Sequence, residues 1–299
     1  MNKSLILINK IVLLICISYA GLAAAAQVAV PAAWWPDINN NRTADIETML
    51  NAGANPNALD SQREPSIMLA VRHKAWGVFD ALAADPKTDV NIVNRLDETP
   101  LMYLAIVGQT DRARALIRRG AKVNRLGWTP LHYAASTGKV ETAKMLLAHK
   151  AIVNAPSPDG TTPLMMAALS GSKAMVQLLL DHGADVTTRN LKGQSAADWA
   201  RAKGHAELAD ELHALSEKVI ALRQAQRERD IANRGGAGHT HEPSIDSAPP
   251  VLKLESARPS SAPPLVSAPA AAPEAPSHSN GNGTSRYFNS GDTRTAPGN

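Results

Sequence analysis

The sequence predicts an all-α fold: a solenoid of helix–turn–helix repeats with short hairpin-like fingers, followed by a disordered C-terminal tail. Three observations carry this reading. Related segments begin at Glu64, Thr99, Thr129, Thr162 and Ser195, spaced 30 to 35 residues apart, a period that marks stacked supersecondary units. Proline and glycine fall at matching places in successive copies. The composition turns polar after Leu215 and rich in Pro, Ala and Ser after Gly235.

The N-terminal element is a leader. Lys3 and Lys10 precede an apolar run from Ile11 to Ala26, and Ala24 and Ala26 fit a small-residue cleavage site. A basic start, a short apolar stretch and small residues read as a secretory signal peptide, residues 1–26, cleaved after Ala26. The protein is then expected in the periplasm or secreted. Cys16, the one cysteine, leaves with the leader. Disulfides, thiol catalysis and cysteine-ligated zinc are thereby excluded from the mature chain. Removing Lys3 and Lys10 from the 31 basic residues leaves 29 against 27 acidic ones, a balance without the concentrated basic face that nucleic-acid binding needs.

Residues 27–63 hold "NRTADIETMLNAGANPN", which matches only the second half of a repeat, so they are expected to form an N-terminal capping half-repeat. Full repeats follow at 64–98, 99–128, 129–161 and 162–194, with a capping repeat at 195–215. Pro100, Pro130 and Pro163 sit where a first helical turn tolerates proline, and Thr99, Thr129 and Thr162 are suited to cap it. Gly108, Gly138, Gly171 and Gly204 break the chain between two short helices; Asn41 and His73 take that slot in the first two copies. Gly53, Gly120 and Gly183 end the second helix, and Lys150 replaces this glycine in the fourth copy at a strain of about 1 kcal/mol. Residues 216–234 read as a polar helical extension whose narrow stripe, Leu215, Val219 and Leu222, docks it on the last repeat. Residues 235–299 hold 10 of the 20 prolines and two aromatics, Tyr287 and Phe288, too little apolar area to offset the entropy of ordering.

The T-P-L-H-x-A-A pattern, the inter-helix glycine and the G-A-x-x-N ending resemble those of the ankyrin repeat family. The resemblance covers Trp34 to Leu215, about three fifths of the chain. It implies a non-enzymatic adaptor or scaffold that binds a protein on a concave face built from finger tips and first helices. Catalysis has little to stand on. Thr129 and His132 are three residues apart at a helix start, but the positions matching His132 are Met102, Met165 and Asp198, so the histidine reads as a tie for the helix start. His239 and His241 in the tail are two ligands at most. His149 and His182 stand near helix ends, where a cation suits the dipole. No paired carboxylates at a defined spacing stand out, and no cofactor or metal is expected. The partner set is an unidentified protein of acidic surface, with no nucleic acid and no membrane, bound by a monomer.

Carried over position by position, the resemblance gives a binding surface. The residue before each T-P is expected to be exposed: Arg63, Glu98, Trp128, Thr161 and Gln194; the finger tips add Arg95, Leu96, Leu126, Asp159, Leu191 and Lys192. Within the face, Trp128, Leu126, Ile106, Val107 and Leu169 form the expected apolar cluster, rimmed by Arg95, Arg72 and Lys192. The finger holding Trp128 is short, with two residues between Asn124 and Gly127 against five between Asn154 and Gly160. Met68, Tyr103, Tyr133, Met166 and Trp199 form a second stripe, expected to pack between first helices. Alternatives to the adaptor are an inhibitor or immunity protein, a secreted effector that blocks an enzyme, an enzyme with a cryptic site, and an envelope spacer that uses the tail.

Overall fold

The computed structural model describes residues 30–235 and 253–254. The expected signal peptide, the histidines at 239, 241 and 278, and nearly all of the tail lie outside the described residues. Twelve helices run in order among the described residues: α1 (Trp34–Asn39), α2 (Thr43–Asn51), α3 (Ser66–Arg72), α4 (Trp76–Ala84), α5 (Pro100–Val107), α6 (Thr110–Arg118), α7 (Pro130–Ser136), α8 (Val140–Ala148), α9 (Pro163–Ser170), α10 (Lys173–Asp181), α11 (Ala196–Ala202) and α12 (Ala206–Gly235). No strand occurs among the described residues; one isolated bridge, Leu59 to Pro65, stands in the first finger.

The odd-numbered helices stack closely on one another, while the even-numbered ones pack more loosely outside them. The first helices of the inner repeats, α3, α5, α7 and α9, are short and almost wholly buried: every residue of α5 from Pro100 to Ile106 is buried. No single pair could hide such a helix, so stability comes from the interfaces between repeats. The helix starts follow local chemistry. Thr99 Oγ1 accepts the Met102 N–H at 3.4 Å, and Thr162 Oγ1 accepts the Met165 N–H at 3.4 Å. Ser195 and Asp198 cap reciprocally, at 3.2 and 2.8 Å.

A ladder of asparagines joins the repeats on the outer side. Asn57, Asn91, Asn124 and Asn154 each accept a backbone N–H from the next repeat and donate to a carbonyl at its helix end, all at 2.7 to 3.0 Å. Each side chain thereby satisfies two loop groups that no helix serves. Repeat two has no left-handed cap at the end of α4; there the guanidinium of Arg119 donates to the carbonyls of Ala83, Asp85 and Thr88.

Four readings change. The N-terminal cap is a complete helix pair, because α1 supplies a shortened first helix, with Trp34 fully buried and its Nε1 donating to Ser66 Oγ at 2.9 Å. In repeat two the register slips by one residue: Pro65 is the N-cap, and Lys74 (φ 56°), not His73 (φ −84°), takes the left-handed slot. Met68 consequently occupies the histidine slot, and Leu69 the stripe. The polar extension is not a separate docked helix but continues α12, whose 30 residues run unbroken. Its stripe is graded: Val219 is buried, Leu215 half-buried and Leu222 exposed. Asn41 and Lys150 do adopt positive φ, 53° and 67°.

Candidate protein-binding face

Each finger turns at a left-handed residue: Arg63, Asp97, Gly127, Gly160 and Gly193, with φ between 62° and 80°. In three fingers an Asx side chain three residues earlier holds the turn. Asp60, Asn94 and Asn190 each accept two backbone N–H groups, the second always from the residue just before the helix cap, at 2.8 to 3.0 Å. Short polar side chains favour such turns for this reason. In the third finger the Asn-to-glycine spacing is shorter by three residues, and no Asx turn remains there. Arg125 in this finger instead reaches back to Asp97 of the finger before.

The holding of that N–H turns the pre-helix side chain inward. The slot is therefore not the exposed row expected from the sequence. With the register corrected it contains Glu64, Glu98, Trp128, Thr161 and Gln194. Glu64, Glu98 and Thr161 are buried, and the other two half-buried. Arg63 stands in the left-handed position beside it.

Two of these residues form a paired carboxylate that linear spacing did not reveal. Glu98 is 2% exposed; its Oε1 accepts the Tyr133 hydroxyl at 2.6 Å, and its Oε2 accepts from Asn94 Nδ2 at 2.9 Å and the Tyr103 hydroxyl at 3.3 Å. Glu64 Oε2 accepts from Arg72 at 3.1 Å and from the same Asn94 amide at 3.4 Å. Burial pushes the Glu98 carboxyl above its usual range, the Glu64 charge adds to this, and the bonds from Tyr133 and Asn94 oppose it. Burial and the two carboxylates also raise Tyr103. Only the 34-residue separation hid the pair. The signal available was that the same pre-helix slot carries an acid in two successive repeats.

His132 joins two repeats. Its Nδ1 accepts the Thr129 N–H at 3.2 Å and lies 2.9 Å from the Thr129 hydroxyl, so the proton resides on Nε2, which donates to the Thr161 carbonyl at 3.0 Å. Burial lowers its pKa to about 4, and the ring is neutral near pH 7. His149 and His182 bond through Nδ1 to the carbonyls four residues back, each at 2.8 Å.

The expected apolar cluster is not a solvent-facing surface. Ile106 is buried, and Val107, Leu169 and Trp128 are half-buried against the core. First helices lie too close together to leave these side chains free. The Trp128 ring meets His132 edge-on at 5.2 Å, and its indole N–H is buried without a hydrogen-bond partner among the described residues. Arg72 directs its charge to Glu64. Leu126 is 96% exposed, while Arg95 and Lys192 are exposed and make no ion pair among the described residues. Of the second stripe, Tyr103, Tyr133 and Met166 are buried and Trp199 half-buried.

What does face solvent is a line of finger tips. Leu126, Pro158 and Leu191 are exposed on three successive fingers, Leu191 at 81%. The third and fourth fingers abut, since a Cβ on Gly127 would lie 3.6 Å from the Pro158 ring. The Leu191 N–H then donates to the Asp159 carbonyl at 2.9 Å. Leu126 and Leu191 stand exposed at finger tips, where the repeat pattern placed them; Pro158 escaped the sequence reading because no helical or strand periodicity governs a turn tip.

Among the described residues, no group of three or more His, Cys, Asp or Glu side chains is placed to hold a metal ion, and no helix is long and apolar enough to cross a membrane. No curated protein matches the chain significantly. A family model described as ankyrin repeats, in three copies, matches residues 67–157 and 153–220. Ankyrin repeats are generally protein–protein interaction modules and are typically non-enzymatic. Helix pairs, left-handed breaks, caps and the family model coincide over more than half of the chain, which therefore belongs to the ankyrin repeat family.

Proposed function

We propose that this array is an adaptor that binds a protein partner through its finger tips, in the periplasm or after secretion. The observation that carries the reading is the exposure of Leu126, Pro158 and Leu191 on three successive, abutting fingers. Nothing in the packing of the array requires an aliphatic side chain at 96% exposure, and an exposed apolar patch with polar neighbours is the usual form of a recognition surface. Arg95 and Lys192 flank the line and favour a partner with acidic groups at its rim. The signal-like leader supports export. Trp128 acts indirectly in this scheme: it packs against His132 and sets the base of the shortened finger.

The test is capture of partners from an envelope fraction with the wild type and with the Leu126→Asp, Leu191→Asp double variant. Both side chains are exposed, so the variant is expected to melt as the wild type does. Loss of a stoichiometric partner supports the finger-tip reading; undiminished recovery by the variant refutes it. The export claim is checked by the N-terminus of the purified protein, which should be Gln27.

A further inference from the structure

The second helices of the last two units do not close on each other. Neighbouring second helices α2 and α4, α6 and α8, and α8 and α10 approach through their backbones, whereas α10 and α12, like α4 and α6, make at most marginal backbone contact. Long polar side chains span this seam instead. Lys173 of α10 lies 3.1 Å from both Glu207 and Glu211 of α12, and Arg223 of α12 lies 3.2 Å from Asp185 beyond the end of α10. Gln177 follows Lys173 by one turn and shares its face.

A piece of the tail reaches Gln177. Leu254 is 5% exposed and belongs to the apolar core, and its N–H donates to Gln177 Oε1 at 2.9 Å. Lys253 beside it is exposed, so one side chain points in and the next points out, as in an extended peptide. The sequence around Leu254 is distinctive in its surroundings. Val251, Leu252 and Leu254 put three aliphatic residues in a span of four, between Pro250 and Pro259; elsewhere in the tail Ile245 stands alone and Leu265–Val266 as a pair.

We propose that the Lys253–Leu254 stretch is a built-in ligand of the array, with Leu254 filling the α10–α12 seam and its peptide N–H read by Gln177. The connection is long enough. From Glu211 to Gly235 α12 advances about 36 Å at 1.5 Å per residue, and the intervening 17 residues, 236–252, can extend to roughly 60 Å. Tethering keeps the segment at an effective concentration on the order of millimolar, so one buried leucine and one hydrogen bond suffice to hold it. The contact clamps the root of the long polar helix onto the last full repeat, at the end of the array with no further repeat to cover it.

Residue-resolved amide hydrogen exchange on the full chain tests this. The Leu254 amide is expected to exchange about tenfold or more slowly than that of Lys253. Gln177→Ala, a change that a helix surface tolerates well, and Leu254→Ser should each abolish the slowing. Equal exchange at Leu254 and Lys253 in the wild type would overturn the proposal, as would protection that survives Gln177→Ala. Protection that grows with protein concentration would assign the segment to a second copy and equally overturn it.

Discussion

His132 and Glu98 are both buried titratable residues, and they pull stability in opposite directions with pH. His132 has a folded pKa near 4, below its ordinary 6.5, because burial disfavours the imidazolium. The unfolded chain thus binds the proton more readily, and stability present above pH 6.5 is lost as the pH falls toward 4. A shift of this size corresponds to on the order of 3 kcal/mol. Replacing His132 with Met, which fills the same slot at Met68, Met102 and Met165, should remove that acid limb. The check is urea unfolding of both proteins at intervals between pH 7 and pH 4, and parallel losses in the two would contradict the assignment. Glu98 has the reverse sign. Its folded pKa is raised, so the native state holds the proton longer and stability falls as the pH climbs from 4.5 through the folded value. Glu98→Gln should therefore gain stability relative to the wild type across that climb; a difference that stays flat with pH would rule out a raised carboxyl. The histidine's structural role was readable from the repeat, since other copies replace it with apolar residues. The acid network was not readable, because two glutamates 34 residues apart meet only when repeats stack.

At the scale of single elements, most helices begin and end for reasons written in the chain itself. Threonine and proline start α5, α7 and α9, and Gly108 and Gly171 end α5 and α9 in left-handed geometry. Lys150 is the telling exception. It follows α8 at φ 67°, where its Cβ crowds the backbone and only glycine is unstrained. Lys150→Gly should raise stability by about 0.5–1 kcal/mol, visible as a higher urea midpoint with an unchanged slope. A decrease would mean that the lysine side chain supplies more than its backbone costs. Gly171 makes the opposite case. A Cβ there would lie 2.4 Å from the His205 ring and at φ 70°, so Gly171→Ala should destabilise by more than the ordinary cost of a left-handed alanine. Sequence legibility divides along the same line. Caps and breaks were legible because they depend on a few neighbouring residues. The register in repeat two was not, because "EPS" imitates the cap-proline order while Pro65 itself is the cap. The finger tips Leu126 and Leu191 were legible from their place in the repeat, whereas Pro158 was not, since it answers to contact between fingers and not to periodicity.

For the molecule as a whole, connectivity between neighbours governs how it comes apart. Each repeat touches only those beside it, so stability is a sum of local and interface terms and opening should begin at an end. The two ends are built differently. The C-terminal end has α11 and α12, with the α10–α12 seam braced by Lys173 and Arg223. The N-terminal end rests on the six-residue α1, where Trp34 and Ile38 are wholly buried; Trp34 ties that helix to Ser66, which itself donates to the Ala58 carbonyl at 3.0 Å. Trp34→Ala removes the largest side chain in the cap and leaves Ser66 short of a donor, a loss on the order of 3–5 kcal/mol by analogy with other buried aromatics. Spread over a cooperative globule, that loss would lower protection everywhere alike. In a one-dimensional array it should fall on α1 and α2, with a smaller effect on α3 and α4, while α7 to α11 keep their exchange rates. Hydrogen exchange resolved by segment separates these cases. Uniform acceleration from α1 to α11 would show that the repeats fold as a single unit and that the cap stabilises the whole array, not just its first interface.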